Sequence, residues 1–170
     1  MLDHLGAGGG GDAEAMELTP PARRSHEGWM SLAIREARLA AEAGEVPVGA
    51  VVVRDGAVIA RGRNRREAEG TALGHAELEA IAAACREVGD WRLTGCTLYV
   101  TLEPCCMCAG ACLNARLDRV VYGAADQAAG CLGSRVNLFA MGLGPPPGIL
   151  PGVLAEECGA LLQDFFRQRR

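Results

Sequence analysis

Lysine is missing altogether: all 17 basic residues are arginine, a choice that alone carries no functional conclusion. Long apolar runs are missing too. None approaches the roughly 20 residues a helix needs to span a bilayer, which excludes a membrane-spanning helix. The N-terminal stretch is Gly-rich and acidic, without the basic-then-apolar order of a secretory signal, so a soluble, cytoplasmic protein is expected. Net positive charge is lacking as well. The formal sum is −4, which does not by itself advertise a nucleic-acid partner. The basic charge gathers at Arg61, Arg63, Arg65 and Arg66 and again at Arg167, Arg169 and Arg170; alone, each cluster reads as a solvated face.

What is present describes a globular chain. Apolar residues make up 49% of 170 positions, enough for one domain with a substantial core. Residues 1–25 contain Gly8 to Gly11 and Pro20-Pro21 without apolar periodicity and read as a flexible extension. The folded domain is expected over 26–170. Of the eight cysteines, Cys85, Cys96 and Cys158 fall in apolar patterns as small core residues. Without a secretory context, disulfides are not expected, and close-spaced cysteines point to metal binding or catalysis.

From His26, the residues Met30, Ala33, Ile34, Ala37 and Ala41 mark one helical face that ends at Gly44. Val46 to Val53 reads as an apolar strand, Asp55-Gly56 as a hairpin turn, and Ala57 to Gly62 as the returning antiparallel strand. Asn64 to Gly74 reads as a loop. A helix from about His75 to Val88 places Leu78, Ile81, Ala82 and Cys85 on one face. Thr97 to Leu102 reads as a strand, a helix starts near Cys105, and Arg119 to Tyr122 forms another strand. Gly130 to Gly144 is irregular, with one helical turn around Val136 to Met141, and Pro145 to Pro147 form a loop. The last helix, about Leu154 to Arg169, is expected to bury Leu154, Cys158, Leu161, Leu162 and Phe165. This alternation implies an α/β sandwich with a mixed sheet.

The chemistry concentrates in Thr101-Leu-Glu-Pro-Cys-Cys-Met-Cys-Ala-Gly-Ala-Cys112. Pro104 suits a first helical turn, and Cys105 and Cys108, three apart, share a helical face and can grip one ion. The helix N-terminus favours thiolates. Upstream, His75-Ala-Glu77 offers a third ligand and a carboxylate. Three protein ligands leave zinc a fourth position for water, and a neighbouring carboxylate can carry its proton. A closed His-Cys-Cys-Cys site using Cys112 and a redox-active Cys-x-x-Cys stay open as alternatives. Cys106 projects away from the Cys105/Cys108 face and is expected to be packed or partly exposed.

These residues resemble the signature of the zinc nucleobase deaminases. The likeness extends through Glu45-Val-Pro-Val-Gly-Ala50, Asp90-Trp-Arg-Leu93, Thr97 to Cys105, Met107-Cys-Ala-Gly110, Val120-Val-Tyr-Gly123 and Phe165-Phe-Arg167. In this order, over roughly residues 28–170, they look like the bacterial tRNA-specific adenosine deaminases. The resemblance implies a cytidine deaminase-like, three-layer α/β/α sandwich with a five-stranded sheet. It implies one Zn2+ per subunit on His75, Cys105 and Cys108, with Glu77 as proton shuttle. The implied reaction is attack on C6 of the wobble adenosine of a tRNA anticodon by zinc-bound hydroxide, yielding inosine and ammonia. Asn64, Val46, Pro47 and Asp126 match positions around the target nucleotide. Phe166, Arg167, Arg169 and Arg170 match a terminal helix that approaches the anticodon stem-loop, and a homodimer is implied. The chain departs from the pattern at Gly74, which is expected to loosen the backbone before His75. At Gly144-Pro-Pro-Pro147 it departs again, which puts the edge strand in question. Deamination of a free base or nucleoside such as guanine or cytosine, and a non-catalytic zinc-stabilised RNA-binding subunit, are the competing readings.

Overall fold

The computed structural model describes residues 26–169; the extension expected over residues 1–25, and Arg170, lie outside them. Helix α1, His26–Glu42, buries Trp29, Met30, Ala33, Ile34, Ala37 and Ala40, a stripe at three- and four-residue spacing. Strands β1, Gly49–Arg54, and β2, Ala57–Arg63, pair antiparallel. Asp55 and Gly56 between them both take positive φ, 47° and 70°, the conformation that a two-residue hairpin of matching twist requires.

A short helix α2, Arg66–Glu69, precedes α3, Ala76–Val88. Then follow β3, Cys96–Leu102, α4, Cys106–Asn114, and β4, Arg119–Ala124. A 3-10 turn at Leu138–Ala140 leads to β5, Gly148–Leu150, and α5, Ala155–Arg167. The five-stranded sheet has the order β2-β1-β3-β4-β5. β1 pairs antiparallel with β2 and β3, while β3, β4 and β5 run parallel. The sheet is mixed, as expected.

Alternation along the strands divides the core into two layers. Ala50, Val52, Leu98, Val100, Val120 and Tyr122 face α3 and α4. Val51, Val53, Tyr99 and Val121 face α1 and α5. Each such aliphatic side chain, fully buried, stabilises the fold by about 1.5–3 kcal/mol before entropy is counted. The result is the three-layer α/β/α sandwich. Gly62 on β2 lets α3 settle onto the strand, because a Cβ there would run into the backbone of Ala76 and Ala80. That close approach fixes the helix whose start carries His75.

Several expectations change. The first strand begins at Gly49, not Val46, because Val46 C=O accepts from Val48 N at 2.8 Å and from Asn64 Nδ2 at 3.3 Å, turning the chain away from the sheet. The loop after Asn64 contains α2. The edge strand survives the prolines: its three residues follow Pro147 and pair with Arg119, Val120 and Val121, and a proline just outside an edge strand removes no ladder donor. In α5, Cys158 and Phe165 are buried, whereas Leu154, Leu161 and Leu162 are only partly so. Gly74 does not loosen the chain. It is buried, and a Cβ there would come within 2.9 Å of the Arg65–Arg66 backbone, while its carbonyl accepts from Arg65 N at 2.9 Å.

Candidate metal centre and active-site pocket

Both expected ligand pairs stand at helix N-termini. His75 and Cys105 are the N-cap residues of α3 and α4, in extended conformation, and Cys108 lies in the first turn of α4. Among the described residues, His75, Cys105 and Cys108 bring one ligand atom each to within 4.8 Å of one another. His75 Nδ1 is 3.4 Å from Cys108 Sγ and 3.7 Å from Cys105 Sγ. Zn–N and Zn–S bonds in a tetrahedron put N and S about 3.6 Å apart, so these three side chains fit a zinc ion. Cys112 is buried and stands outside the group, which sets aside the four-ligand reading.

The two thiols are unequal. Cys105 is pulled down to about 5, chiefly because the Cys108 thiol hydrogen-bonds to it, against the opposing effect of burial; backbone N–H groups of the first turn and the nearby His75 add to the shift. Cys108 is pushed far up by donating that bond and by burial. An N-terminal helix turn favours the anion in the same way. Glu77 is only 4% exposed. Burial raises its pKa, opposed by its own backbone N–H and by His75. A carboxyl held above its ordinary range while facing a cavity suits proton transfer.

That cavity, about 140 Å³, is lined by Val46, Val48, Asn64, Arg66, His75, Ala76 and Glu77. It suits one flat ring better than the ~300–1,000 Å³ of drug-sized sites. Expected substrate positions Val46 and Asn64 thus meet His75 and Glu77. Asn64 braces the wall: Nδ2 donates to Val46 O at 3.3 Å and Oδ1 accepts from Arg66 N at 3.1 Å. Pro47 is fully buried and absent from the lining. Asp126 lies outside it, its carboxylate capping Ala128 N and Ala129 N at 3.0 and 3.1 Å. Phe166 is 49% exposed, and Arg167 reaches Asp164 at 3.4 Å. The Arg169 guanidinium lies 3.5 Å from the Phe165 ring centroid. Arg170 is outside the described residues. A larger, open cavity of about 670 Å³ sits at the opposite end of β3 and β4, between Thr94, Arg116, Arg119 and Pro145; none of the candidate residues lines it.

Two buried acids organise the surroundings without touching the cavity. Glu45, 3% exposed, accepts from Glu67 N and Ala68 N at 2.9 and 2.8 Å. It thereby caps α2, whose own N-cap residue Arg65 makes no side-chain cap. Glu103 accepts from Asp126 N at 3.1 Å, from Leu132 N and Ser134 N at 3.0 Å each, and from Ser134 Oγ. Burial pushes its pKa up, but these bonds outweigh burial and hold it below the ordinary range. Both acids stood in the quoted motifs; their partners, up to 31 residues away, could not be read from local spacing. A further difference concerns Cys106, expected to be packed or partly exposed and unbonded. It is joined to Cys131 with a Cα–Cα distance of 5.2 Å, because Cys131 N donates to Pro104 O at 2.9 Å and draws that loop against the start of α4.

Fold and site together define a deaminase. The MafB19-like deaminase family profile matches residues 24–170, and the chain belongs to this family. It is 50% identical over 143 residues to a tRNA-specific adenosine deaminase of Bacillus subtilis, covering 84% of this chain and 89% of that protein. A solved structure from work on A-to-I editing by tRNA:A34 deaminases at the wobble position of transfer RNA superposes with a TM-score of 0.78 at 44% identity, over 79% of this chain and 99% of that one. Guanine deaminase from Bacillus subtilis is also similar, at 41% identity and TM-score 0.58 over 59% of this chain and 65% of that one. Within the deaminases, the chain is placed with the tRNA-specific adenosine enzymes by near-complete coverage of the first two relatives.

Proposed function

We propose that the chain hydrolyses the wobble adenosine of a tRNA anticodon to inosine, with release of ammonia. The observation that carries this reading is Glu77, buried against His75, Cys105 and Cys108 at the floor of a cavity sized for one base. His75, Cys105 and Cys108 would hold one zinc ion per subunit. Zinc, when bound, acidifies water to a pKa of about 7 and so supplies a nucleophile at neutral pH. The Glu77 carboxylate would carry a proton from the attacking water to the departing exocyclic amine, so that adenosine and water become inosine and ammonia. Val46 and Asn64 wall the flipped base, since a duplex- or loop-embedded base must be unstacked to be reached. Pro47 supports that wall from behind, and Asp126 lies toward the ribose. Phe166 stacks on an anticodon-loop base while Arg167, Arg169 and Arg170 meet phosphates. The working form is a cytoplasmic homodimer.

The partial likeness to guanine deaminase supports a second reading, deamination of a free base. One assay separates them. Zinc-loaded protein is incubated with a tRNA bearing adenosine at the first anticodon position and, separately, with guanine and cytosine. Inosine in the tRNA without ammonia from the bases supports the proposal, and the reverse pattern overturns it. A non-catalytic role is disfavoured by Glu77, because a purely structural metal site has no use for a buried acid with a raised pKa.

A further inference from the structure

We propose that Cys106 and Cys131 form a reversible thiol–disulfide pair that takes up oxidants ahead of the metal-ligating thiols Cys105 and Cys108. The inference rests on the metal centre of the reading above but not on which base is deaminated.

Four sulfurs lie around the first turn of α4, and their exposure differs. Cys106 is exposed, Cys105 intermediate and Cys108 buried, so in the zinc-loaded protein, where Cys105 and Cys108 are engaged as ligands, Cys106 is the most open of the three to a peroxide from solvent. Its neighbour Cys131 is only 4% exposed and is held in place without the covalent bond. Cys131 N donates to Pro104 O, and Leu138 N donates to Cys131 O, each at 2.9 Å. Glu103 fixes the residues that follow through Leu132 N and Ser134 N. Reduction therefore leaves the two thiols facing each other, and the pair closes without moving the loop. The other cysteines are poor competitors: Cys96, Cys112 and Cys158 are buried, and the partly exposed Cys85 donates its thiol to Trp91 O at 3.6 Å; burial raises the pKa of each of these thiols.

The steps balance. The Cys106 thiol and hydrogen peroxide give the sulfenic acid and water. The Cys131 thiol attacks that sulfur, forming the S–S bond and expelling a second water. A dithiol reductant returns both thiols and leaves as its own disulfide. An exposed thiol with a resolving partner is the pattern of a recoverable oxidation site, whereas oxidation of Cys105 or Cys108 costs the ion a ligand.

The test uses the full chain, reduced and zinc-loaded, with zinc content and inosine formation measured beforehand. A failed substrate assay is thereby distinguished from failure of this inference. Hydrogen peroxide is added, released zinc is followed with a chromogenic chelator, and disulfides are mapped by non-reducing peptide mass analysis. The Cys106–Cys131 bond is expected before zinc appears, and a dithiol should reverse it with zinc retained. Cys106→Ser should release zinc several-fold faster. Cys131→Ala, a second variant should the first misfold, should show trapped sulfenic acid at Cys106 and faster release. Zinc release that precedes the disulfide, or equal release rates in wild type and both variants, overturns the proposal.

Discussion

His75, Cys105 and Cys108 stand at the starts of two helices whose backs are sealed into the core, whereas Val46 and Asn64 stand on two irregular segments that hydrogen bonds tie to each other and to Arg66 at the start of α2. The metal side is set by residues three apart on one helix and by an N-cap on another. The opposite wall depends on bonds between residues 18 to 23 positions apart: Asn64 to Val46, and Glu45 to Glu67 and Ala68. Local spacing thus places the chemistry, and long-range bracing shapes what the chemistry meets. The metal side should fail outright when altered, and the wall should fail by degrees.

The largest effect is expected at the ligands. Cys108→Ala should abolish zinc retention and inosine formation together, as metal analysis beside the tRNA assay will show. Next, Glu77→Gln should keep zinc and fold but lower kcat by about 10²–10⁴-fold, the ordinary contribution of a positioned acid–base group. If zinc is lost with it, the division between ligand and proton carrier is wrong.

On the bracing side the effects shrink. Glu103→Gln should cost about 2 kcal/mol at neutral pH, because it removes a charged acceptor from buried N–H groups. The sign with pH follows from the depressed pKa. Ionised Glu103 stabilises the fold above the ordinary carboxylate range, and that contribution disappears as pH falls through its folded value. Urea midpoints of wild type and variant should therefore converge on acidification; a constant gap contradicts the account. Glu45→Ala should strand two N–H groups of α2, lower stability by about 1–2 kcal/mol, and raise KM more than it lowers kcat. Smallest is Phe166→Ala, about 1 kcal/mol or roughly fivefold in KM for tRNA, with kcat and thermal stability unchanged because the ring is half exposed.

The same contrast explains what could be read in advance. The Asp55-Gly56 turn and most of the helical face of α1 are short-range patterns that appear where expected, although Ala40 rather than Ala41 is buried. The helix after Pro104 starts later than expected, with Cys105 as its N-cap, so Pro104 precedes the helix instead of occupying its first turn. The Cys105 and Cys108 pair was legible because its spacing is a local signal, whereas His75 lies 30 positions upstream and was joined to it by the expectation that two helix N-termini would point at one ion. Strand β5 was hidden because three residues after three prolines show no period of their own and gain their pairing from β4. Glu45 and Glu103 look like surface acids until the N–H groups they serve are folded against them. Gly74 read as looseness because the Arg65–Arg66 backbone that crowds it is invisible in sequence. The Cys106–Cys131 bond spans 25 positions and follows from the loop that Glu103 ties down, not from the cysteine pattern.

The most direct measurement is inosine at the first anticodon position of tRNA, read together with bound zinc, for wild type and Glu77→Gln. The account predicts full conversion by wild type, and equal zinc with conversion reduced at least about a hundredfold in the variant. Equal conversion by both proteins, or no conversion by zinc-replete wild type, would contradict it.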